Sequence, residues 1–220
     1  YRGYDSAGVA TLDGGRLLRC RAPGKLRNLQ EKLERAPIAG LAGIGHTRWA
    51  THGAATEANA HPHSAPGVAV VHNGIIENYL ELRGELQAQG AKLSSDTDTE
   101  VVAHMVSREL ARGASPREAV AVTLPKLKGA FALAFLFEGE DDLLIGARRG
   151  SPLAVGYGEG EMFLGSDAIA LSPFTDRISY LEEGDWVVLN RAGCEIMDAS
   201  NAPVERPVIA SQAVSLTIDK

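Results

Sequence analysis

The sequence lacks several features that would assign it to a class at once. It has only two cysteines, Cys20 and Cys194, which are far apart and have no metal-type spacing. Such cysteines give no disulfide framework and are typical of a reducing compartment. No apolar run approaches the length of a membrane span, and the first residues show neither the basic nor the apolar region of a secretion signal. We therefore expect a cytoplasmic protein without a membrane partner.

Positive charge is also scarce. The formal net charge of the 220 residues is -6 and no basic patch is present, which argues against nucleic acid as a partner. Hydrophobic residues make up 45% of the chain and charged residues 23%, an ordinary globular composition with enough apolar side chains for a large core. A small anionic or zwitterionic ligand is compatible with this balance, because a single arginine can bind it locally.

Strand and helix patterns occur in blocks. Residues 9–12 and 16–21 flank Asp-Gly-Gly and predict a hairpin. Apolar periodicity and capping signals then predict helices over residues 25–35, 76–90, 97–112 and 115–127. Later strands are predicted over residues 131–137, 143–147, 153–156, 162–165, 186–190 and 194–197. Blocks of this kind indicate an α+β sandwich with mostly antiparallel sheets, and the loss of periodicity from residue 203 predicts a tail.

Two polar stretches point to a site. The first, HTRWATHG at residues 46–53, sets Arg48 beside Trp49 and ends in glycine, which we interpret as pocket rather than buried strand. The second, HNGIIEN at residues 72–78, follows an apolar run that stops at Asn73 and Gly74. A strand ending there can aim a side-chain amide and a backbone N–H at one point, as an oxyanion hole requires, although a simple hairpin turn fits too.

Further motifs accompany these two stretches. In chain order the set is YRGYDSAG (1–8), HTRWATHG (46–53), NAHPH (59–63), HNGIIEN (72–78), SDTDTE (95–100) and LEEGD (181–185). Together they closely resemble the glutaminase domains, or type 2 glutamine amidotransferase domains, of glucosamine-6-phosphate synthases. The glutaminase of amidophosphoribosyltransferase shares the layout, but YRGYDS and TRWATHG are more similar to the hexosamine enzymes. The resemblance covers nearly the whole chain and implies a four-layer αββα sandwich of the N-terminal nucleophile hydrolase type.

The resemblance also implies roles for individual residues. Binding of the α-carboxylate of glutamine is assigned to Arg48, Thr51 and His52, and pairing with its α-ammonium to Asp98. The Asn73 side chain and the Gly74 N–H would form the oxyanion hole. Trp49 resembles the gate of an ammonia route, and Arg2 lies in a motif that supports the nucleophile.

Each role has a structural alternative. Arg48 and Asp98 suit a surface ion pair, and Asp98 suits the first turn of a helix, where Thr97 and Glu100 form a capping box. Trp49 alone is more often core than gate. The clustered histidines at 46, 52, 61, 63 and 72 lack a zinc-binding spacing, so we expect no metal and no cofactor.

The sequence departs from the family pattern at the nucleophile. The resemblance implies an N-terminal cysteine with its free α-amine as base, whereas this sequence begins at Tyr1 within the first motif. Cys20 and Cys194 are interpreted as structural thiols. We expect residues 1–202 to be a glutaminase domain that lacks its nucleophile segment and is inactive as it stands, and residues 203–220 to lead toward a sugar-phosphate isomerase domain.

The expected function is hydrolysis of glutamine to glutamate, with the ammonia used to make glucosamine 6-phosphate from fructose 6-phosphate. The implied partners are glutamine or glutamate, the isomerase domain of the same polypeptide, and further copies in a homo-oligomer of the full-length protein. Two alternatives stay open: the glutaminase domain of another amidotransferase, such as amidophosphoribosyltransferase, and a noncatalytic module that binds glutamine or glutamate.

Overall fold

The structure is a computed structural model that describes residues 4–49 and 53–211. Strands and helices alternate in blocks along the chain. In chain order they are β1 (Ser6–Asp13), β2 (Arg16–Pro23), α1 (Leu26–Arg35), β3 (Ala42–Arg48), β4 (His63–Ala65), β5 (Val68–Ile76), α2 (Tyr79–Ala88), α3 (Thr99–Ala111), α4 (Pro116–Thr123), β6 (Gly129–Phe137), β7 (Leu144–Arg149), β8 (Ala154–Tyr157), β9 (Met162–Gly165), α5 (Ala168–Leu171), β10 (Arg177–Tyr180), β11 (Trp186–Asn190), β12 (Gly193–Met197), β13 (Pro203–Val204) and β14 (Ile209–Ala210).

A seven-stranded antiparallel sheet forms the centre of the domain, in the order β13-β12-β11-β7-β6-β5-β4. Helices α2, α3 and α4 cover one of its faces. Val102 and Val106 of α3 belong to one buried apolar cluster with Val70 of β5 and with Phe131 and Phe135 of β6. Full burial of such side chains stabilises the fold by roughly 1.5–3 kcal/mol each, so this cluster holds the helix layer to the sheet.

Two smaller sheets share the opposite face. They have the orders β2-β1-β3 and β14-β10-β8-β9. Ile44 of β3 packs in a cluster with Leu136 of β6, and Val155 of β8 packs in another with Val187 of β11. On the outer side, Leu29 of α1 packs in a cluster with the three-stranded sheet, and α5 covers the four-stranded one. The layers therefore follow the order αββα, which confirms the expected α+β fold.

Several local predictions differ from the structure. The stretch around Arg48 is the end of β3, because alternate side chains of this strand, among them Ile44 and Arg48, are buried. Strand β5 does not stop at Gly74 but pairs with β6 as far as Ile76. The capping box predicted at the start of α3 is only half present: the Thr97 hydroxyl accepts a hydrogen bond from the backbone N–H of Glu100 at 3.4 Å. The Glu100 carboxylate turns back to Ser94 and Ser95, which offer it both hydroxyl and backbone donors.

Residues 203–210 are attached to the domain. Strand β13 pairs with β12, and β14 pairs with β10. Arg206, between the two strands, donates two hydrogen bonds to the buried Asp185 carboxylate, at 2.8 Å and 2.9 Å. The boundary at residue 202 stays a prediction, although the part of the predicted tail that the structure describes extends two of the sheets. Within residues 4–49 and 53–211, no helix has the length and apolar character needed to cross a bilayer.

Candidate active site

One cavity gathers most of the residues that the sequence indicates. It has a volume of about 340 Å³ and lies beside the end of β3, the second half of β5 and the start of α3. Arg48, Trp49, Asn73, Gly74 and Asp98 all line it. Residues distant in sequence and different in chemistry thus converge on a space large enough for an amino acid. A larger cavity of about 410 Å³ lies at the opposite end of β3, but it receives none of these groups.

Asn73 and Gly74 lie side by side in β5, opposite Ala132 and Phe131 of β6. Gly74 has a φ of 126°, a backbone conformation that side chains disfavour, and a Cβ atom there would collide with the carbonyl oxygen of Ala130. Glycine is therefore required by the close approach of the two strands. Both residues are exposed to the cavity, so a side-chain amide and a backbone segment without a side chain are available to a ligand.

A hydrogen bond holds the amide of Asn73. Nε2 of His46 lies 2.6 Å from its Oδ1 atom. With the oxygen engaged in this way, the N–H₂ group of Asn73 is left for other partners. The sequence analysis gave His46 no role, because it did not predict β3; in the structure Ile44, His46 and Arg48 fall on the same face of that strand.

Arg48 is buried at the end of β3. Its guanidinium donates to Oδ1 of Asp5 at 3.1 Å, to the Gly53 carbonyl at 3.1 Å and to the Ala54 carbonyl at 3.3 Å. These contacts tie Gly53 and Ala54 to the end of β3 and orient the guanidinium beside the cavity. Asp5, part of the first motif of the sequence, is a supporting residue that the sequence analysis missed.

Asp98 immediately precedes α3 and is also buried. Its Oδ2 atom accepts a hydrogen bond from the backbone N–H of Ile76 at 2.8 Å, which links the start of the helix to the end of β5. The same oxygen lies 3.8 Å from Nδ1 of His72. A carboxylate held in this way beside a cavity favours a cationic group of the ligand.

Three further histidines lie behind the cavity. His61 stacks on His46 at 4.4 Å, and the rings of His63 and His72 lie 4.9 Å and 6.5 Å from that of His61. Burial, with the positive charge of neighbouring groups, places the pKa of His61 well below its ordinary value. Burial also lowers the pKa of His63 to about 3, with the Arg21 charge acting in the same direction. The imidazoles of His61 and His63 are therefore neutral near pH 7.

Hydrogen bonds of Asn59 and Glu100 support the segment that carries Asp98. Asn59 donates to the Ala54 carbonyl at 3.0 Å and accepts from the backbone N–H of Asp96 at 2.9 Å. Burial opposes ionisation of Glu100, but hydrogen bonds from Ser94 and Ser95 outweigh it and lower the pKa of the carboxyl group. The SDTDTE motif is thus explained mainly by local hydrogen bonding, with Asp98 directed to the cavity.

The remaining predicted residues differ in their placement. Trp49 is 55% exposed at the mouth of the cavity, which excludes the alternative that it is a core residue. Thr51, His52 and Arg2 lie outside the described residues, so their predicted roles stay predictions. Among the described residues, no group of histidine, cysteine and acidic side chains has the arrangement of a metal site.

Neither cysteine lies at the cavity. Cys20 is on β2 and packs in a cluster with Ala22 and Leu29. Cys194 is on β12, where its sulfur lies 3.6 Å from the Tyr157 hydroxyl, and burial raises the pKa of its thiol. A thiol with a raised pKa far from the polar groups is a poor nucleophile, as the sequence analysis expected.

A groove of about 220 Å³ lies between the two smaller sheets. Its walls are β3 and β9, each the last strand of its sheet, and its floor includes Val71, Ala134 and Leu144 of the large sheet. Gly43 and Gly45 keep the β3 side of the groove free of side chains. The backbone of two edge strands therefore faces a gap over an apolar floor, and the lining of the gap along β3 ends at Gly45, next to His46.

Comparisons with known proteins agree with this geometry. Residues 46–173, more than half of the chain, match the glutamine amidotransferase domain family. Over all 220 residues the chain is 66% identical to the isomerizing glutamine-fructose-6-phosphate aminotransferase of Brucella suis biovar 1 (strain 1330) and 60% identical to that of Zymomonas mobilis subsp. mobilis. In both cases it spans 36% of the length of the relative.

Solved structures show the same fold. The glutamine phosphoribosylpyrophosphate amidotransferase from B. subtilis superposes with a TM-score of 0.76 at 27% identity, over 92% of this chain and 44% of the other. A class-II glutamine aminotransferase domain protein from Silicibacter pomeroyi gives a TM-score of 0.63 at 19% identity, over 90% and 92% of the two chains. The fold and cavity thus define an amidotransferase domain of the N-terminal nucleophile hydrolase type. This chain belongs to the glutamine amidotransferase domain family.

Proposed function

We propose that this chain is the glutaminase domain of a glucosamine-6-phosphate synthase. Within the proposal, the cavity holds glutamine and supports the release of ammonia from its side-chain amide. The observation that carries it is the convergence of Arg48, Asp98 and the Asn73–Gly74 pair on one space, because each group complements a different part of glutamine. The identity of 66% over all 220 residues with an isomerizing glutamine-fructose-6-phosphate aminotransferase supports the same choice.

Recognition of the amino acid needs two opposite charges at a fixed separation. The guanidinium of Arg48 offers a planar fork to the α-carboxylate, while Asp98 offers a negative charge to the α-ammonium. Thr51 and His52 would complete the carboxylate site. Arg48 is held by Asp5 and by two carbonyl groups, so it is oriented before the ligand arrives. Such preorganisation reduces the entropy lost on binding.

The reaction requires a thiol. A thiolate attacks the amide carbon of glutamine, and the electron pair of the C=O bond moves to the oxygen. The Asn73 side chain and the Gly74 N–H would stabilise that oxyanion. Collapse of the tetrahedral intermediate breaks the C–N bond, and the protonated nitrogen leaves as ammonia. Water then hydrolyses the thioester to glutamate and regenerates the thiol.

The groove between β3 and β9 suggests where the segment that carries this thiol would lie. An extended strand between β3 and β9 would find on both sides a backbone edge that no strand of residues 4–49 and 53–211 pairs with, and an apolar floor beneath it. A strand that continued along β3 past Gly45 would reach His46, which lines the cavity together with Asn73. We therefore propose that the N-terminal cysteine implied by the resemblance reaches the cavity on a strand in this groove, with its α-amine as the base and Arg2 as a supporting residue.

The whole protein would use the ammonia to convert fructose 6-phosphate into glucosamine 6-phosphate. The relatives with this printed activity are about three times as long as the chain, since it spans 36% of them. An isomerase domain of the same polypeptide, homo-oligomerisation and a gating role of the exposed Trp49 are parts of this proposal. The second candidate is the glutaminase domain of an amidophosphoribosyltransferase, which the TM-score of 0.76 favours.

The experiment is a two-substrate assay on the full-length polypeptide. Glutamine with fructose 6-phosphate should yield glucosamine 6-phosphate and glutamate, whereas glutamine with phosphoribosyl pyrophosphate should yield no phosphoribosylamine. Ammonia supplied directly should replace glutamine. The opposite substrate preference would support the second candidate. Stoichiometric binding of glutamine without any hydrolysis would instead identify a noncatalytic binding module.

A further inference from the structure

The structure assigns a positioning role to His46: we propose that it fixes the side-chain amide of Asn73 with the N–H₂ group directed at the cavity. This inference rests on the proposed function, because it explains how the oxyanion donor is oriented before the reaction. His46 itself would not touch the reacting atoms. It would act through a single hydrogen bond to the oxygen of Asn73.

The orientation of the Asn73 amide, with Oδ1 facing His46, determines which ring nitrogen carries the hydrogen. Nε2 of His46 and Oδ1 of Asn73 lie 2.6 Å apart. A carbonyl oxygen can only accept, so Nε2 must carry the hydrogen. The opposite orientation of the amide would direct Oδ1 into the cavity, where it would repel the negative charge that develops on the substrate oxygen. One hydrogen bond thus decides whether Asn73 stabilises or destabilises the transition state.

The ring that donates this bond is itself fixed. It stacks on His61 with an interplanar angle of 23°. His61 accepts the backbone N–H of His72 at Nδ1, at 3.3 Å, and its Nε2 lies 3.2 Å from the Thr99 hydroxyl. His46 is also held in β3, opposite Gly8 of β1. A donor fixed by stacking and strand pairing needs no reorganisation during the reaction, which is the condition for strong electrostatic stabilisation.

The charge state of the ring agrees with this role. Burial lowers the pKa of His46, the Asn73 hydrogen bond opposes that shift, and the nearby Arg48 charge adds to it. The neutral ring has one N–H group, and the contact with Asn73 uses it. His46 therefore supplies direction to Asn73 without adding a positive charge beside the guanidinium of Arg48.

Two substitutions separate a hydrogen-bonding role from a packing role. His46→Gln keeps an N–H donor at a similar distance from the backbone but loses the aromatic stack, whereas His46→Phe keeps the stack on His61 but loses the donor. In the full-length protein, His46→Phe should lower kcat for glutamine hydrolysis by about 10- to 100-fold, less than the about 10²- to 10³-fold loss on removing an oxyanion donor itself. KM should change little, and His46→Gln should regain most of the activity.

A packing role predicts the reverse order, with His46→Phe more active than His46→Gln, and that result would overturn the proposal. His104→Gln is the control, since His104 lies on α3, does not line the cavity and should keep normal kinetics. In the Asn73→Ala background, His46→Phe should cause no further loss of kcat, because its effect passes through Asn73. Independent losses that multiply would contradict the assignment.

A spectroscopic measurement distinguishes failure of this inference from failure of the proposed function. Nitrogen-15 NMR of histidine-labelled protein should show the Nε2–H tautomer for His46, with loss of that signal in His46→Phe. A wild-type protein that hydrolyses glutamine but shows the Nδ1–H tautomer would refute the positioning role alone. A protein with the Nε2–H tautomer that does not hydrolyse glutamine would refute the proposed function and, with it, the catalytic purpose of the contact.

Discussion

Replacement of Asp98 by asparagine removes one charge with little change of shape. Asp98 is buried, and its Oδ2 atom accepts the Ile76 N–H at 2.8 Å. An asparagine oxygen can accept the same bond, so the start of α3 should stay in place and the free energy of unfolding should change by less than about 1 kcal/mol. The change therefore tests the charge of the carboxylate rather than the fold around it.

The expected magnitude follows from Coulomb's law. An ammonium at about 4 Å from the carboxylate gains about 4 kcal/mol at an effective dielectric constant of about 20, and desolvated charge pairs give losses of about 2–5 kcal/mol. Asp98→Asn should therefore lower kcat/KM for glutamine by about 10²- to 10³-fold. Use of ammonia supplied directly should survive, because that reaction does not require the amino acid site.

The assay gains precision from a glutamine analogue that lacks the α-amino group. Wild-type protein should prefer glutamine strongly over this deamino analogue, and Asp98→Asn should lose most of that preference. The kinetics of both substrates with both proteins form a cycle that isolates the carboxylate–ammonium pair. An equal loss for both substrates would refute the assignment of Asp98 to the ammonium.

Three further outcomes are expected. Arg48→Ala should weaken glutamine use by about 2–5 kcal/mol. It should also destabilise the fold, because Asp5 and two carbonyl groups lose their hydrogen-bond donor. Normal kinetics with a lowered melting temperature would leave Arg48 only a structural role. Because burial lowers the pKa of His63 from 6.5 to about 3, the unfolded chain binds more protons at this residue between those two values. His63 alone should therefore lower the free energy of unfolding by about 2 kcal/mol from about pH 7 to about pH 5. Denaturant titrations should show a smaller slope for His63→Gln, and an unchanged slope would contradict the buried neutral ring. A chelator should leave glutamine hydrolysis unchanged, whereas stoichiometric zinc lost together with activity would show that the histidines bind metal.

Local patterns predicted much of the secondary structure. The hairpin of β1 and β2, the helix α1 and the start of the helix α4 all depend on residues close in sequence, and the structure confirms them. Strand β3 escaped prediction, because Gly43 and Gly45 interrupt its apolar pattern and the charged Arg48 is one of its buried residues. Glycine and charge normally argue against a strand. Here Gly43 and Gly45 line the groove, and the charge of Arg48 is paired with Asp5.

The candidate site likewise has a part that the sequence predicted and a part that it did not. Residue chemistry and resemblance pointed to Arg48, Asn73, Gly74 and Asp98, which the fold brings to one cavity. Their supports could not be predicted, since His46 meets Asn73 across 27 positions of sequence and Asp5 meets Arg48 across 43. Such pairs form only when separate strands and loops come together. Sequence patterns identified the residues that line the cavity better than the residues that hold them in place.

The Asn73→Ala substitution in the full-length protein tests the central claim most directly, because that claim places an oxyanion hole at Asn73 and Gly74. Negative charge develops on the amide oxygen only during the reaction, so removal of one donor should lower kcat for glutamine hydrolysis by about 10²- to 10³-fold. KM and the binding of glutamate should change much less. A raised KM at constant kcat would instead make Asn73 a binding residue, and the oxyanion hole would have to lie elsewhere.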